Sequence, residues 1–421
     1  MLREPRGERR GPGRFSLIGR VDGLEESLFT LVVEVDAVAG SVISPGTLEH
    51  FKLRFQEGGV HLVCAIDGTR FMPCGGADVP PPLIPGDPAL DPVPDPDDGM
   101  ELPDPDEDPF GDRGGCAPPQ TVFDGMVAYS DNVRVAMGGT NAVLAEIQQT
   151  VDVTNASYSR SGIAARYRLV WRGEVNYSES GVSTTDLSRL RDPSDGILDG
   201  LHATRDSVNA DVCTLWVDSL DACGRGYCTA GHDDAFNVVQ WGCAADNFSQ
   251  PHEIGHNQGC DHNVEDGGAN CGAYPYSYGH RFFAGGNGYR TIMSYDNNAE
   301  DYTRIGWFSN PNLTYLGQPL GTATRNNTAT INNRRGTFEA LELTRMDIWV
   351  QIGYAGPELG TYTLPYNTVS EGVGAVDVPS AGASEEPNLY IKSGTSTYTG
   401  TITKQMWIRA CGGPVNIGGN P

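Results

Sequence analysis

Eleven consecutive residues, His252-Glu-Ile-Gly-His-Asn-Gln-Gly-Cys-Asp-His262, constrain this chain more than any other stretch. On a helix, His252 and His256 stand one turn apart on a common face and can grip one metal ion together. Glu253 sits beside them, able to reach a metal-bound water as general base without being a ligand. Gly259 can take the backbone conformation that ends a helix and turns the chain back. That turn brings His262 round as third ligand. Three imidazoles with a fourth position left for water describe a catalytic rather than a structural zinc site. The spacing therefore predicts one catalytic Zn2+ on His252, His256 and His262. A zinc site completed by a distant glutamate is the rival arrangement, and His262 makes such a ligand unnecessary.

Downstream stands Arg290-Thr-Ile-Met-Ser-Tyr-Asp296. Together with the histidine run it resembles the Met-turn of the metzincin metalloproteases, which implies Met293 beneath the metal. Read without that resemblance, Met293 is a gap-filling core thioether. Tyr295 matches the tyrosine that astacin-like and serralysin-like metzincins use as an extra zinc ligand or transition-state donor. Its plainer alternative is a buried tyrosine with a satisfied hydroxyl. The run from Gly255 to His262 resembles the adamalysin/reprolysin group more closely, and 180–196 and 307–317 resemble secreted bacterial reprolysin-like metalloproteases. This likeness covers residues 120–355 well and 16–77 loosely. It implies an α/β (α+β) catalytic domain with a mixed twisted sheet and a zinc helix. It also implies a secreted zinc endopeptidase acting on proteins or peptides, with Glu253 as general base and Tyr295 beside the oxyanion. Two residues depart from the pattern. Asn263 stands where reprolysins usually carry aspartate, and Tyr295 makes the Met-turn more serralysin-like.

The rest of the composition narrows the setting. With 421 residues the chain has room for two or three domains. No apolar run is long enough to span a membrane as a helix. A net charge of −25 argues against binding a nucleic-acid backbone. Nothing in the sequence calls for a partner subunit, and a monomer is expected. The start, Met-Leu-Arg-Glu-Pro-Arg-Gly-Glu-Arg-Arg, has no apolar core of a signal peptide, so an export signal is expected upstream of it.

Along the chain, residues 1–15 are basic and predicted disordered. Residues 16–77 alternate apolar and polar in the β manner and read as a small β-rich, propeptide-like domain. The acidic linker 78–118 carries Asp-Pro repeats: within 78–115 there are twelve acids, one base and eleven prolines, which predicts an extended, protease-accessible spacer. Ca2+ binding by these carboxylates is conceivable but unsupported, because the repeats lack a glycine-turned calcium loop. The catalytic region, 119–357, reads as strands near 121–129, 165–175 and 211–217, with helices at 140–158 and 195–205. A strand at 235–241 directly precedes the zinc helix. By resemblance, that last strand is the sheet edge on which extended substrate pairs. Residues 358–421 read as short strands that resemble the opening coils of a parallel β-helix.

Six of the ten cysteines, Cys213, Cys223, Cys228, Cys243, Cys260 and Cys271, lie in the catalytic half. With histidine supplying the metal ligands, disulfides and an oxidising, extracellular location are the expected use. The expected pairs are Cys260–Cys271 and a bridge from Cys223 or Cys228 to Cys243. Pro73-Cys-Gly-Gly-Ala-Asp-Val79 partly resembles the cysteine switch of matrix metalloproteases, in which a propeptide thiolate fills the fourth zinc position. A Cys64–Cys74 disulfide is the competing use of Cys74, and the favoured one. A further alternative keeps the metzincin scaffold but makes the protein a surface adhesin or binding module, which predicts a lost ligand or base. None is lost.

Overall fold

The alternating N-terminal sequence folds as an antiparallel meander: β1 (Leu2–Gly11), β2 (Arg14–Val21), β3 (Leu24–Glu34), β4 (Ala37–Ser44), β5 (Glu49–Gln56) and β6 (Val60–Ala65), in that spatial order. The computed structural model describes residues 2–56, 59–78, 121–266, 271–296, 301–342, 346–362, 364–377 and 386–418. Apart from Asp78, the acidic linker lies outside the described residues. The disorder expected for residues 1–15 is not what is found. Leu2–Gly11 pairs antiparallel with β2, which supplies ladder partners that a composition argument cannot see.

A second six-stranded sheet runs β7-β11-β12-β10-β8-β9. Its strands are β7 (Ala77–Asp78), β8 (Thr121–Ser130), β9 (Ala165–Val175), β10 (Val212–Val217), β11 (Gly224–Tyr227) and β12 (Phe236–Gln240). Helices α1 (Asp131–Met137) and α2 (Thr140–Ser161) connect β8 to β9, while α3 (Ser183–Arg191) and α4 (Gly200–Val208) connect β9 to β10. The strands β8, β9, β10 and β12 are mutually parallel, and β11 runs antiparallel to β12. Buried on both faces, β10 reads as a continuous apolar run, Val212-Cys-Thr-Leu-Trp-Val217. Short α5 (Trp241–Ala244) then leads into α6 (Ser249–Asn257), the helix carrying His252 and His256.

One expectation is corrected here. The strand before α6 is not the sheet edge: β12 lies between β11 and β10. The edge at this end is β7, and next to it lies β11, a four-residue strand rich in glycine that carries too little periodicity to be read from sequence.

Helix α2 positions the two sheets on one another. Val143, Ile147 and Val151 on its apolar side join the core beneath β8 and β9. Its other side, with Glu146, Gln149 and Asp152, is also buried, because β3 and β4 of the N-terminal sheet lie against it. Lys52 of β5 enters that interface fully buried and contacts the carboxylates of Glu146 and, at 3.2 Å, Asp246. Arg172 of β9 bonds the buried Glu34 of β3 at 2.6 Å.

Beyond α6, strands β13 (Arg281–Ala284), β14 (Asn287–Arg290) and β15 (Tyr302–Arg304) form a small sheet, followed by the pair β16 (Thr314–Tyr315) and β17 (Gln318–Pro319) and by α7 (Asn327–Glu339). The last sheet joins β18 (Asp347–Val350), β19 (Asn388–Ser396) and β20 (Trp407–Ile417), all parallel, with α8 (Val369–Ala375) packed on it. Because β18 pairs with β19 and shares its apolar cluster, the C-terminal unit begins before residue 358.

Candidate metal centre and its strap

The site is built on α6. Its two histidines are one turn apart, and Gly259 beyond it adopts φ +96°, the left-handed conformation that glycine tolerates without a Cβ penalty. The chain reverses there and carries His262 back. The Nε2 atoms of His252, His256 and His262 converge at separations of 3.2, 3.1 and 2.9 Å. Each ring sits in the interior, at most 2% exposed. The other nitrogen of two rings faces a carbonyl: His252 Nδ1 donates to Ile292 O at 2.8 Å and His256 Nδ1 to Cys260 O at 2.9 Å. Those acceptors fix the tautomer, leaving Nε2 lone pairs pointed at one another. Burial holds His256 near a pKa of about 4 and pushes His252 and His262 well below the usual imidazole range, so all three are neutral. Inward-facing lone pairs repel unless a cation sits among them. Nitrogens around a tetrahedral Zn2+ at about 2.0–2.1 Å would lie about 3.3 Å apart, close to the spacing found. The residues fit a metal.

Glu253 lies beside the triad, fully buried, and one carboxylate oxygen, Oε2, has no hydrogen-bond partner. Burial raises its pKa to about 8. Met293 supports α6 from below. A Cβ on Gly255 would stand 2.7 Å from Met293 Sδ, so the thioether packs directly against helix backbone that only glycine leaves open. The Tyr295 ring stacks on His262 with centroids 3.9 Å apart, and its hydroxyl donates to Cys74 O at 3.3 Å. Asn263, the residue that departs from the usual aspartate, is buried and bidirectional. Its Oδ1 accepts from Tyr295 N at 2.9 Å, and its Nδ2 donates to Glu265 and Asp266. A carboxylate could accept from the Met-turn but could not donate to two further acids.

Cys74 brings a fourth potential donor to the group. Its Sγ and the three Nε2 atoms all lie within 4.8 Å of one another, and the thiol donates to the Glu253 carboxylate. Burial, then the charge of Glu253, raises the thiol pKa well above its ordinary value when no metal is bound. The favoured Cys64–Cys74 disulfide is therefore not formed, and both cysteines are free. The reason is tertiary: residues 73–78 run as a strap along β11. Cys223 N bonds Pro73 O (3.0 Å), Gly75 N bonds Gly224 O (2.8 Å) and Cys228 N bonds Asp78 O (3.0 Å). The strap is parallel to β11, and Arg225 clamps it through Asp78 at 2.8 Å and the Gly75 carbonyl.

Two disulfides flank the centre. Cys223–Cys243 forms, one of the two options foreseen for Cys243. The Cys260–Cys271 expectation is corrected: Cys271 pairs with Cys228, while Cys260 turns into the core with its Sγ 3.7 Å from Asn327 O. Cys260 follows Gly259, and the reversal that delivers His262 aims its neighbour inward. Cys213, on β10, is buried and free, and its position in a strand buried on both faces leaves it no partner to reach. Three arginines near the centre, Arg225, Arg290 and Arg304, went unread in the sequence because nothing local to them signals a site.

A family model described as metallo-peptidase family M12B, reprolysin-like, matches residues 120–326. A peptidyl-Asp metalloendopeptidase of Stenotrophomonas maltophilia (strain K279a) is 32% identical over 315 residues, covering 74% of this chain and 69% of that protein. The chain belongs to the reprolysin-like metallopeptidases. Another peptidyl-Asp metalloendopeptidase, from Xanthomonas campestris pv. campestris, is 31% identical over 333 residues, covering 78% of this chain and 71% of that protein. This reprolysin-like chain is accordingly a metalloendopeptidase, acting on protein or peptide chains. No helix among the described residues is long and apolar enough to cross a membrane.

Proposed function

We propose that the chain is a secreted, zinc-dependent endopeptidase made as a proenzyme, that its substrates carry aspartyl residues at the cleavage site, and that Cys74 holds it latent. The observation that carries this reading is the convergence of three neutral imidazole Nε2 atoms beside a buried carboxylate with an open oxygen. The aspartyl preference is taken from the names of the relatives.

His252, His256 and His262 would hold Zn2+, which would supply the Lewis acidity that makes water nucleophilic and polarises a peptide carbonyl. The protein's own residues do the remainder. Glu253 Oε2 is free to take a proton from the attacking water, and the raised carboxyl pKa suits it to pass that proton on to the leaving amine. Tyr295, stacked on His262 with its hydroxyl on the Cys74 carbonyl, is placed to donate to the oxyanion once the strap has gone. The edge of β11, occupied in latency by residues 73–78, becomes available for β-pairing with extended substrate. In the latent state Cys74 would hold a metal position that water needs, and its Sγ lies against the Glu253 carboxylate.

Glu253→Gln tests the mechanism. The variant should keep its fold and its metal, measured by circular dichroism and elemental analysis. After activation its turnover should fall by about 10²–10⁴-fold, the usual contribution of a positioned general base. Turnover near wild type would remove Glu253 from the mechanism.

A further inference from the structure

Arg304 occupies the interior, 9% exposed, between the start of the metal helix and the strand that follows the Met-turn. Its Nη1 donates to the backbone carbonyl of Asn247 at 2.8 Å, just before α6. Its Nε is buried and has no partner. The parallel register of β14 and β15 sets Arg290 directly beside it. Arg290 likewise bonds only neutral carbonyls, Tyr302 O at 2.9 Å and Ser294 O at 2.8 Å. Among the described residues neither guanidinium makes an ion pair. Asp296 acts on both at longer range, its Oδ1 being engaged by Tyr302 N at 2.8 Å. The Arg290 bond to Ser294 O ties the pair to the turn that carries Met293 and Tyr295, and the charge of Arg304 acts on Cys74, His252, Glu253, His262 and Tyr295.

A buried guanidinium hydrogen-bonded only to a neutral carbonyl, with a second arginine beside it, is costly in a folded protein, and an arginine keeps its charge at any physiological pH. Such a pair is stable in a working site when a carboxylate arrives to complete it, and guanidinium geometry matches a carboxylate in two parallel hydrogen bonds. We propose that Arg304, backed by Arg290, is the receptor for the aspartyl carboxylate of the substrate. The proposal rests on the reading that the substrates carry aspartyl residues. Arg225, the other arginine near the centre, is paired with the strap's Asp78 in the latent chain, and its variant serves as the comparison in the test.

The test compares activated enzyme on matched peptides that differ only in Asp or Asn at the scissile position. In the wild type, kcat/KM should favour Asp. In Arg304→Gln the Asp-to-Asn ratio should fall by about 10–100-fold, the size of one hydrogen-bonded charge contact. Arg304→Lys, which keeps the charge but not the Nε donor, should lower the ratio less and decides the matter if the glutamine variant does not fold. An unchanged ratio in the folded Arg304 variants, or a loss of preference in Arg225→Gln instead, overturns the assignment. A wild-type enzyme with no Asp preference would instead overturn the substrate reading itself, leaving the metal chemistry untouched.

Discussion

Lys52→Met probes how the N-terminal sheet is held on the catalytic unit. Lys52 is fully buried at the interface, with Glu146 of α2 and Asp246 as its carboxylate contacts. The two acids respond oppositely to that environment. Burial raises Glu146, whereas Lys52 and His50 together outweigh burial at Asp246 and hold it at about 2. Lys52 pairs with Asp246 at 3.2 Å as well as with Glu146. Across that distance, with an effective dielectric constant of about 20, the attraction is about 5 kcal/mol. Removing one partner of such a pair strands the other charge, which typically costs about 3–5 kcal/mol. The methionine fills the volume but leaves Asp246 with His50 alone, at 3.3 Å. Urea titration of the full chain, followed by tryptophan fluorescence, should show a transition weakened by that amount with an unchanged slope. Trp241 sits under Arg54 of β5, at 5.0 Å, and reports on the same interface. Adding Glu146→Gln and Asp246→Asn to Lys52→Met should recover most of the loss, because uncharged groups leave no ion stranded. A shift below about 1 kcal/mol in the single variant would refute the view that this pair fastens the sheet.

Two further outcomes are expected. Cys74→Ser removes the soft donor from the centre while keeping the strap's backbone bonds to β11, so the unprocessed chain should hydrolyse peptides about 10–100-fold faster than wild type; equal rates would exclude a latency role for the thiol. Replacing Cys228 and Cys271 together by serine opens a bridge spanning 43 residues, which chain-entropy arguments value at about 4 kcal/mol. Denaturant midpoints that do not move would show that this bridge contributes little to holding His256 and the following loop in place.

How legible the centre was from sequence depended on distance along the chain. The three imidazoles and Glu253 fall within eleven residues, where helix periodicity and one glycine dictate their convergence. Met293 and Tyr295 were readable only through resemblance, since their approach to α6 depends on how the Met-turn packs. Cys74 was misjudged toward Cys64, because local spacing favours a near partner. Its true surroundings, 179 residues away in sequence, come from the strap lying along β11. The same limitation misplaced Cys260, whose direction follows from the reversal at Gly259.

What the sequence alone determined is the chemistry: a hydrolytic metal site, because ligand type and helical spacing are local properties. What only the tertiary structure decided is access and recognition. The polar side of α2, with Glu146, Gln149 and Asp152, is covered by a second sheet that the helix's own sequence does not announce. Nothing in the sequence around Arg304 signals a site, yet the residue is buried with its Nε unpartnered. Both outcomes arise from long-range packing, where burial and charge pairing are set by elements that no stretch of sequence places next to one another.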